Sequence, residues 1–269
     1  MRDLVDVDWL AEHLHDRGLV VVDASIAMFG VQGDGIPGAV RFDIDGPFSS
    51  HDGDGAHTMP APDAFERALR AIGVREGDRV VAYDATGLVS SARAWWMLRA
   101  AGIDAAVLDG GLPAWEAAGL PTEPVRASTG RPGDVVVRWR EGAFVDARAV
   151  DDALAEGCAV LDARSAARFA GETPEPRPGV RSGHIPGARS LPFSELAPQG
   201  RMLPVAALAA RLDEATGDAP IVASCGSGVT ASVIALAATL AGREAAVYDG
   251  SWAEWGAEHS GRPVATGPA

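Results

Sequence analysis

The sequence predicts an α/β protein in which two copies of one domain follow each other along the chain. Short apolar strand segments alternate with helical segments, a pattern typical of a parallel sheet covered by helices on both faces. Several motifs of the first half recur in the second half, which indicates an internal duplication. The chain has 269 residues, of which 47% are apolar, enough for two cores of ordinary size.

Four pairs of motifs define the repeat. The pairs are residues 20–25 with 160–165, 36–39 with 185–188, 80–84 with 221–225, and 107–110 with 247–250. Three of these pairs are separated by 139–141 residues, and the pair with the sequence IPGA is separated by 149 residues. The second copy therefore contains about ten additional residues between Ser165 and Ile185.

These motifs set the predicted domain limits and elements. The first domain spans residues 1–122, a linker rich in proline and glycine spans 123–142, and the second domain spans 143–269. We expect one strand in the linker, at residues 135–137. In the first domain the pattern predicts strands near 19–23, 80–83 and 105–108 and helices near 8–16, 62–72, 90–101 and 112–118.

Cys225 lies between an apolar strand and an apolar helical segment. Functional sites in parallel sheets form at the carboxyl ends of the strands. The Gly-rich turn 225–230 (CGSGVT) allows successive N–H groups to point at one atom, and the following helix adds positive partial charge. This environment favours a nucleophilic thiolate. The other interpretation is a small buried hydrophobic residue, which we expect for Cys158, since no Gly-rich turn follows it.

The first copy has Asp84 at the position that corresponds to Cys225. A carboxylate cannot replace a thiol in attack on sulfur. We therefore predict that the first copy is catalytically silent, that it helps to line the site, and that Asp84 takes no part in the chemistry.

Composition excludes several classes of partner. The net charge of −14 makes nucleic acids and anionic membranes poor partners. The first residues have no signal-peptide core, and the longest apolar stretch, 233–241, is too short to span a bilayer. Two cysteines do not make a disulfide framework. We expect a cytoplasmic protein with reduced thiols.

Together these features resemble the two-domain rhodanese family of sulfurtransferases. The resemblance extends over nearly the whole chain. It rests on residues 83–84 (YD), 93–97 (RAWWM), 108–111 (LDGG) with Trp115, 183–188 (GHIPGA) and the loop after Cys225. It implies two tandem rhodanese-like domains and a sulfurtransferase that uses no metal and no organic cofactor.

Within that family, the loop is similar to the loop of the 3-mercaptopyruvate sulfurtransferases. Thiosulfate sulfurtransferases typically carry Cys-Arg-Lys-Gly-Val-Thr, whose two cations suit a dianion. The resemblance implies a substrate-binding role for the loop residues Gly226, Gly228, Val229 and Thr230, beside Ser227. It also implies that Arg168 and Arg177, in the additional segment, hold the carboxylate and keto oxygen of the substrate. From the residues alone, a solvated charged loop is the favoured interpretation of this segment.

The same resemblance implies a proton relay. Ser227, His57 and Asp45 occupy the positions of the Ser-His-Asp relay of that family. His51 is a competing choice for the histidine. The alternative without a function is that His57 is a surface histidine in a loop. The expected reaction moves sulfur from 3-mercaptopyruvate to Cys225 as a persulfide and releases pyruvate. A thiol such as thioredoxin or a small thiol, or cyanide in an assay, then accepts the sulfur.

Three alternatives remain open from the sequence. A thiosulfate:cyanide sulfurtransferase is the nearest, and the uncharged loop argues against it. A cysteine phosphatase needs an arginine six residues after the cysteine, where this chain has Ala231. A non-catalytic sulfur-carrying or interaction module would not require the intact cysteine loop.

Overall fold

The computed structural model describes residues 1–31, 33–50 and 56–268, and these residues form two compact units. The first unit takes its described residues from 1–50, 59–141 and 199–202, and the second from 56–58, 142–198 and 203–268. Among the described helices, none combines the length and the apolar character needed to cross a membrane.

The first unit is built around a five-stranded parallel sheet with the order β1-β6-β5-β2-β4. Strands β3 and β7 form a separate antiparallel pair. The elements are β1 (Leu4–Val5), α1 (Val7–His13), β2 (Leu19–Asp23), β3 (Asp34–Gly35), β4 (Val40–Arg41), α2 (Pro62–Ile72), β5 (Arg79–Tyr83), α3 (Ser90–Ala100), β6 (Asp104–Leu108), α4 (Gly111–Ala117) and β7 (Glu123–Pro124).

The second unit repeats this topology. Its parallel sheet has the order β8-β12-β11-β9-β10, which is the strand order of the first sheet. The elements are β8 (Phe144–Val145), α5 (Ala147–Ala155), β9 (Ala159–Asp162), α6 (Ala166–Phe169), β10 (Arg189–Ser190), α7 (Phe193–Leu196), α8 (Val205–Thr216), β11 (Ile221–Ser224), α9 (Ala231–Leu240), β12 (Ala245–Tyr248) and α10 (Ser251–Trp255). The predicted α/β class with a duplicated parallel sheet is therefore confirmed.

The two copies also share the way their first helix begins. The side chain of Asp6 accepts the N–H of Trp9 and caps α1, and the side chain of Asp146 accepts the N–H of Ala149 and caps α5. In both units the central strands are continuous apolar runs, because helices cover the two faces of the sheet. An aspartate cap thus begins the first helix of each unit.

The predicted strands of the first copy correspond to β2, β5 and β6, and the predicted helices correspond to α1–α4. The edge strands β1 and β4 escaped prediction because two residues are too few to show a period. The strand expected at residues 135–137 is wrong. Instead of joining a ladder, the N–H groups of Val136 and Val137 donate to the carboxylates of Glu76 and Glu66.

Candidate active site

Cys225 lies directly after β11, at the carboxyl edge of the second sheet. Ser224 pairs in register with Asp162, so β11 and β9 end side by side at this edge. Cys225 is only 1% exposed. Gly228 has a φ of +80°, a conformation that L side chains rarely adopt, and this residue lets the chain turn sharply into α9. The turn therefore holds the cysteine beside the N-terminus of α9, whose dipole favours an anion.

The cysteine loop presents backbone donors that have no acceptor. Within the described part of the chain, the unused donors are the N–H groups of Gly226, Ser227, Val229 and Thr230. The carbonyl groups of Cys225 and Gly226 are occupied, because they accept the first N–H groups of α10. A turn with paired carbonyl groups and unused N–H groups is suited to bind an anionic sulfur.

Ser251 fixes the backbone of Cys225 from the turn between β12 and α10. Its Oγ accepts the N–H of Cys225 at 3.2 Å and donates to the carbonyl of Tyr248 at 2.8 Å. Ser251 has a φ of +50°, in the left-handed region, whereas its counterpart in the first copy is Gly111, with a φ of +53°. Sequence reasoning missed Ser251, although a serine in place of a glycine between the two copies was an available indication.

The corresponding loop of the first copy is closed by its own side chain. One carboxylate oxygen of Asp84 accepts the N–H and the hydroxyl of Thr86. The other accepts the N–H of Val89 and both the N–H and the hydroxyl of Ser91. All of these bonds are 2.7–3.0 Å long. Asp84 therefore occupies the anion-binding turn that the second copy leaves open.

Ser227 and His57 lie next to each other. The Oγ of Ser227 lies 2.9 Å from Nδ1 of His57, and the histidine is buried. A hydroxyl and an imidazole at this distance can exchange a proton. The direction of the hydrogen bond depends on which ring nitrogen of His57 carries the proton.

The two other residues predicted for the relay can be located only in part. Asp45 belongs to the first unit, where its Oδ2 accepts the N–H of Ala27 at 2.8 Å. His51, the competing choice for the relay, lies outside the described residues. The Ser227–His57 pair is therefore the part of the relay that has a described geometry.

Arg168 is held by a buried carboxylate. The Nε and Nη2 atoms of Arg168 donate to the two oxygens of Glu175, at 3.2 and 2.6 Å. Oε1 of Glu175 also accepts Nη1 of Arg164 at 2.8 Å. The bidentate edge that we expected Arg168 to offer to a substrate carboxylate is thus occupied by Glu175, and the donors of Nη1 remain on the other side of the guanidinium.

Arg164 anchors this group to the sheet. Its side chain is fully buried and makes a bidentate pair with Asp162, and its guanidinium lies over the ring of Trp252. Burial lowers the pKa of Arg164, but the carboxylates of Asp162 and Glu175 outweigh burial and raise it above its ordinary value. Arg164 is therefore a permanent cation that fixes Glu175.

Arg168 also lies against the cysteine loop. A Cβ atom built on Gly226 would be 3.0 Å from Nη2 of Arg168. The absence of a side chain at position 226 makes room for this guanidinium beside the nucleophile. Arg177, the second predicted arginine, is half-buried in the same segment between α6 and β10.

The structure also locates Cys158 and His184. Cys158 is half-buried directly before β9, at the other end of the sheet from Cys225, and its N–H donates to the carbonyl of Ala153. His184 stacks on Phe169, and its Nδ1 lies 2.8 Å from the carbonyl of that residue. His184 thereby fixes the turn after α6.

Comparison with known proteins supports the duplicated domain organisation. A family model described as the rhodanese-like domain matches residues 6–118 and 146–258. The 3-mercaptopyruvate sulfurtransferase of Escherichia coli (strain K12) is 40% identical over 267 residues, which cover 94% of this chain and 94% of that protein. Thiosulfate/3-mercaptopyruvate sulfurtransferase 1, mitochondrial, of Arabidopsis thaliana is 35% identical over 94% of this chain and 75% of that protein. The crystal structure of SseA from Escherichia coli, described as a 3-mercaptopyruvate sulfotransferase with a rhodanese fold, has a TM-score of 0.83 at 36% identity, covering 94% of this chain and 99% of that chain.

Proposed function

The chain belongs to the rhodanese family, and from this membership we propose that it transfers sulfur from 3-mercaptopyruvate to a thiol acceptor through a persulfide on Cys225. The observation that carries the proposal is the chemistry around the nucleophile. The loop offers unused N–H groups and no cationic side chain, while Arg168 lies against Gly226. This arrangement suits a substrate whose negative charge is a carboxylate some distance from the sulfur that is attacked.

In the first half-reaction the Cys225 thiolate attacks the thiol sulfur of 3-mercaptopyruvate. A sulfur–sulfur bond forms, the carbon–sulfur bond breaks, and its electron pair leaves on the carbon fragment as the enolate of pyruvate. Protonation of that carbon gives pyruvate. The unused N–H groups of Gly226, Ser227, Val229 and Thr230 are proposed to hold the reacting sulfur and then the outer sulfur of the persulfide, while Gly228 allows the turn that brings them together.

Ser227 supplies the proton in this proposal. Its hydroxyl lies 2.9 Å from His57, which can return a proton to Ser227 after the transfer. Asp45 is assigned the role of orienting His57, by the family resemblance. Arg168 and Arg177 are assigned the carboxylate and keto oxygen of the substrate by the family resemblance, and Arg168 lies against Gly226 of the cysteine loop.

In the second half-reaction a thiolate attacks the outer sulfur of the persulfide and regenerates Cys225. Thioredoxin or a small thiol is the proposed acceptor in the cell, and cyanide can replace it in an assay. The proposal includes a cytoplasmic location, no metal or organic cofactor, a silent domain at residues 1–122 and a catalytic domain at residues 143–269.

The test compares initial rates on 3-mercaptopyruvate and thiosulfate at equal concentrations, with the same acceptor. We expect the wild-type protein to prefer 3-mercaptopyruvate, and Cys225→Ser to lose activity on both substrates. Cys158→Ser is the matched control and should keep most of the activity. Mass spectrometry of the wild type after exposure to substrate, without acceptor, should show one added sulfur atom on the peptide with Cys225.

Other results would identify other functions. A clear preference for thiosulfate would assign the chain to the thiosulfate:cyanide sulfurtransferases. One added sulfur atom without turnover would indicate a sulfur carrier. Activity in the Cys225→Ser variant, together with its loss in a normally folded Cys158→Ser variant, would contradict the assignment of the nucleophile.

A further inference from the structure

Glu175 carries a buried carboxylate in the segment between α6 and β10. Its side chain is only 4% exposed and accepts hydrogen bonds from Arg164 and Arg168. Buried carboxylates persist only where charges and donors compensate them. The two arginines compensate Glu175 fully, but only Arg164 is itself fully buried, whereas Arg168 is 29% exposed.

The hydrogen bonds of Arg168 determine which edge of its guanidinium is available to a substrate. Glu175 engages the Nε–Nη2 edge through both of its carboxylate oxygens. A planar guanidinium held by two parallel hydrogen bonds cannot rotate freely. Nη2 lies 3.0 Å from the position of a Cβ on Gly226, and Nη1 lies 3.8 Å from it. The guanidinium is thus fixed beside the cysteine loop by a residue that need not touch the substrate.

The charges of the cluster also balance. Arg164 and Arg168 contribute two positive charges, and Asp162 and Glu175 contribute two negative charges, so the four side chains carry no net charge. A substrate therefore meets a hydrogen-bonding guanidinium whose charge is already compensated. Such a site favours a monoanion over a dianion, because a dianion needs excess positive charge to offset its loss of water.

The first copy shows that the fold does not require this arrangement. Its counterpart of Asp162 is Asp23, which pairs with Arg41 on the neighbouring strand and has Ser25 at the position of Arg164. The first copy also lacks the additional residues that carry Glu175. The same sheet and topology form in both units, so the role of Glu175 belongs to the copy with the cysteine.

We propose that Glu175 is a positioning residue that orients Arg168 and cancels its charge, and thereby makes the site selective for a small monocarboxylate over a dianion such as thiosulfate. This inference rests on the proposed function. It adds a residue that does not contact the reacting atoms and acts through Arg168.

The test uses Glu175→Gln, which keeps the shape and removes the charge. The measured quantity is the ratio of kcat/KM for 3-mercaptopyruvate to kcat/KM for thiosulfate. Loss of a charge-assisted anchor and gain of net positive charge should lower this ratio about tenfold or more, chiefly through a higher KM for 3-mercaptopyruvate. Glu172→Gln is the matched control: it makes the same charge change at an exposed position of the same segment and should leave the ratio unchanged.

A double-mutant cycle separates positioning from a general effect on folding. In an Arg168→Ala background, Glu175→Gln should change the ratio by less than about twofold, since the residue through which it acts is gone. If Glu175→Gln fails to fold, Gly226→Ala provides a second route. The added Cβ would displace the Arg168 guanidinium without altering any charge, and it should lower the ratio in the same direction.

The outcomes distinguish this inference from the proposed function. A wild-type protein without activity on 3-mercaptopyruvate would overturn both. A wild type that prefers 3-mercaptopyruvate, together with an unchanged ratio in folded Glu175→Gln, would overturn the inference alone. An equal effect of Glu175→Gln with and without Arg168 would also overturn it, and so would an unchanged ratio in Gly226→Ala if Glu175→Gln does not fold.

Discussion

At the scale of single residues, we expect Ser227 to distinguish the two sulfurtransferase reactions. Its hydroxyl lies 2.9 Å from His57 and can donate a proton to the enolate that leaves when 3-mercaptopyruvate is cleaved. Thiosulfate instead releases sulfite, a stable anion that needs no proton. We therefore expect Ser227→Ala to slow transfer from 3-mercaptopyruvate by about 10²–10⁴-fold and to spare transfer from thiosulfate.

Single-turnover measurement of persulfide formation isolates the step that Ser227 serves. Ser232→Ala is a suitable control, because Ser232 lies in the same region but its hydroxyl donates to the carbonyl of Gly228 and not to His57. If Ser227→Ala forms the persulfide from 3-mercaptopyruvate at the wild-type rate, the proton comes from water or from the substrate thiol, and the relay does not operate.

The position of Arg168 also limits how the loop can be changed. Replacing Gly226 and Ser227 with Arg and Lys would place two cations beside the thiol, as in the loop typical of thiosulfate enzymes. An arginine at position 226 would, however, meet the guanidinium of Arg168, because even a Cβ there lies 3.0 Å from Nη2. A shift of preference toward thiosulfate is therefore expected only when Arg168 can move away from the loop.

At the scale of elements, the turn between β12 and α10 holds Ser251 in a strained backbone conformation beside Cys225. Ser251 adopts a φ of +50°, which costs a non-glycine residue about 1–2 kcal/mol. Its hydroxyl offsets the free-energy cost of this strain, because it accepts the N–H of Cys225, which would otherwise be buried without an acceptor. The first copy has Gly111 in the same conformation and avoids the strain.

Two substitutions of Ser251 separate these contributions. Ser251→Ala loses the hydroxyl and keeps the strain, whereas Ser251→Gly loses the hydroxyl and relieves the strain. We expect both variants to have a lower kcat, since the backbone of Cys225 loses an anchor. Thermal unfolding should show that the glycine variant is more stable than the alanine variant by about 1 kcal/mol. An alanine variant equal to or more stable than the glycine variant would contradict the assignment of strain to this residue.

The elements also show what the sequence could predict. The Cys225 loop and the main strands were predictable because turn composition and apolar runs are local properties. The pairing of Glu175 with two arginines was not, because a segment rich in Arg, Glu and Pro has the composition of a solvated loop. It is ordered here by Arg164, whose position depends on the sheet. Residues 135–137 have the composition of a strand, but tertiary hydrogen bonds to glutamate side chains determine their structure.

At the scale of the whole molecule, duplication has produced two versions of one anion-binding turn. In the second copy the turn keeps its N–H groups available around Cys225. In the first copy the carboxylate of Asp84 accepts the N–H groups of Thr86 and Val89, the counterparts of Ser227 and Thr230. A turn of this kind needs an internal anion when it binds no ligand, because buried N–H groups without acceptors destabilise the fold. Asp84 thus gives the turn of the first copy an internal acceptor.

This division predicts opposite effects for equivalent substitutions in the two copies. Asp84→Asn removes the charge and turns one acceptor atom into a donor that faces N–H groups, so we expect a loss of about 1.5–3 kcal/mol of stability. Calorimetry should show a transition at lower temperature, while kcat per folded molecule stays near the wild-type value. Cys225→Ser, the matched change in the other copy, should abolish turnover and leave the melting temperature almost unchanged, because the hydroxyl replaces a thiol that makes no structural contact of comparable strength. A large fall in kcat for Asp84→Asn with unchanged melting would show instead that the turn of the first copy takes part in the reaction.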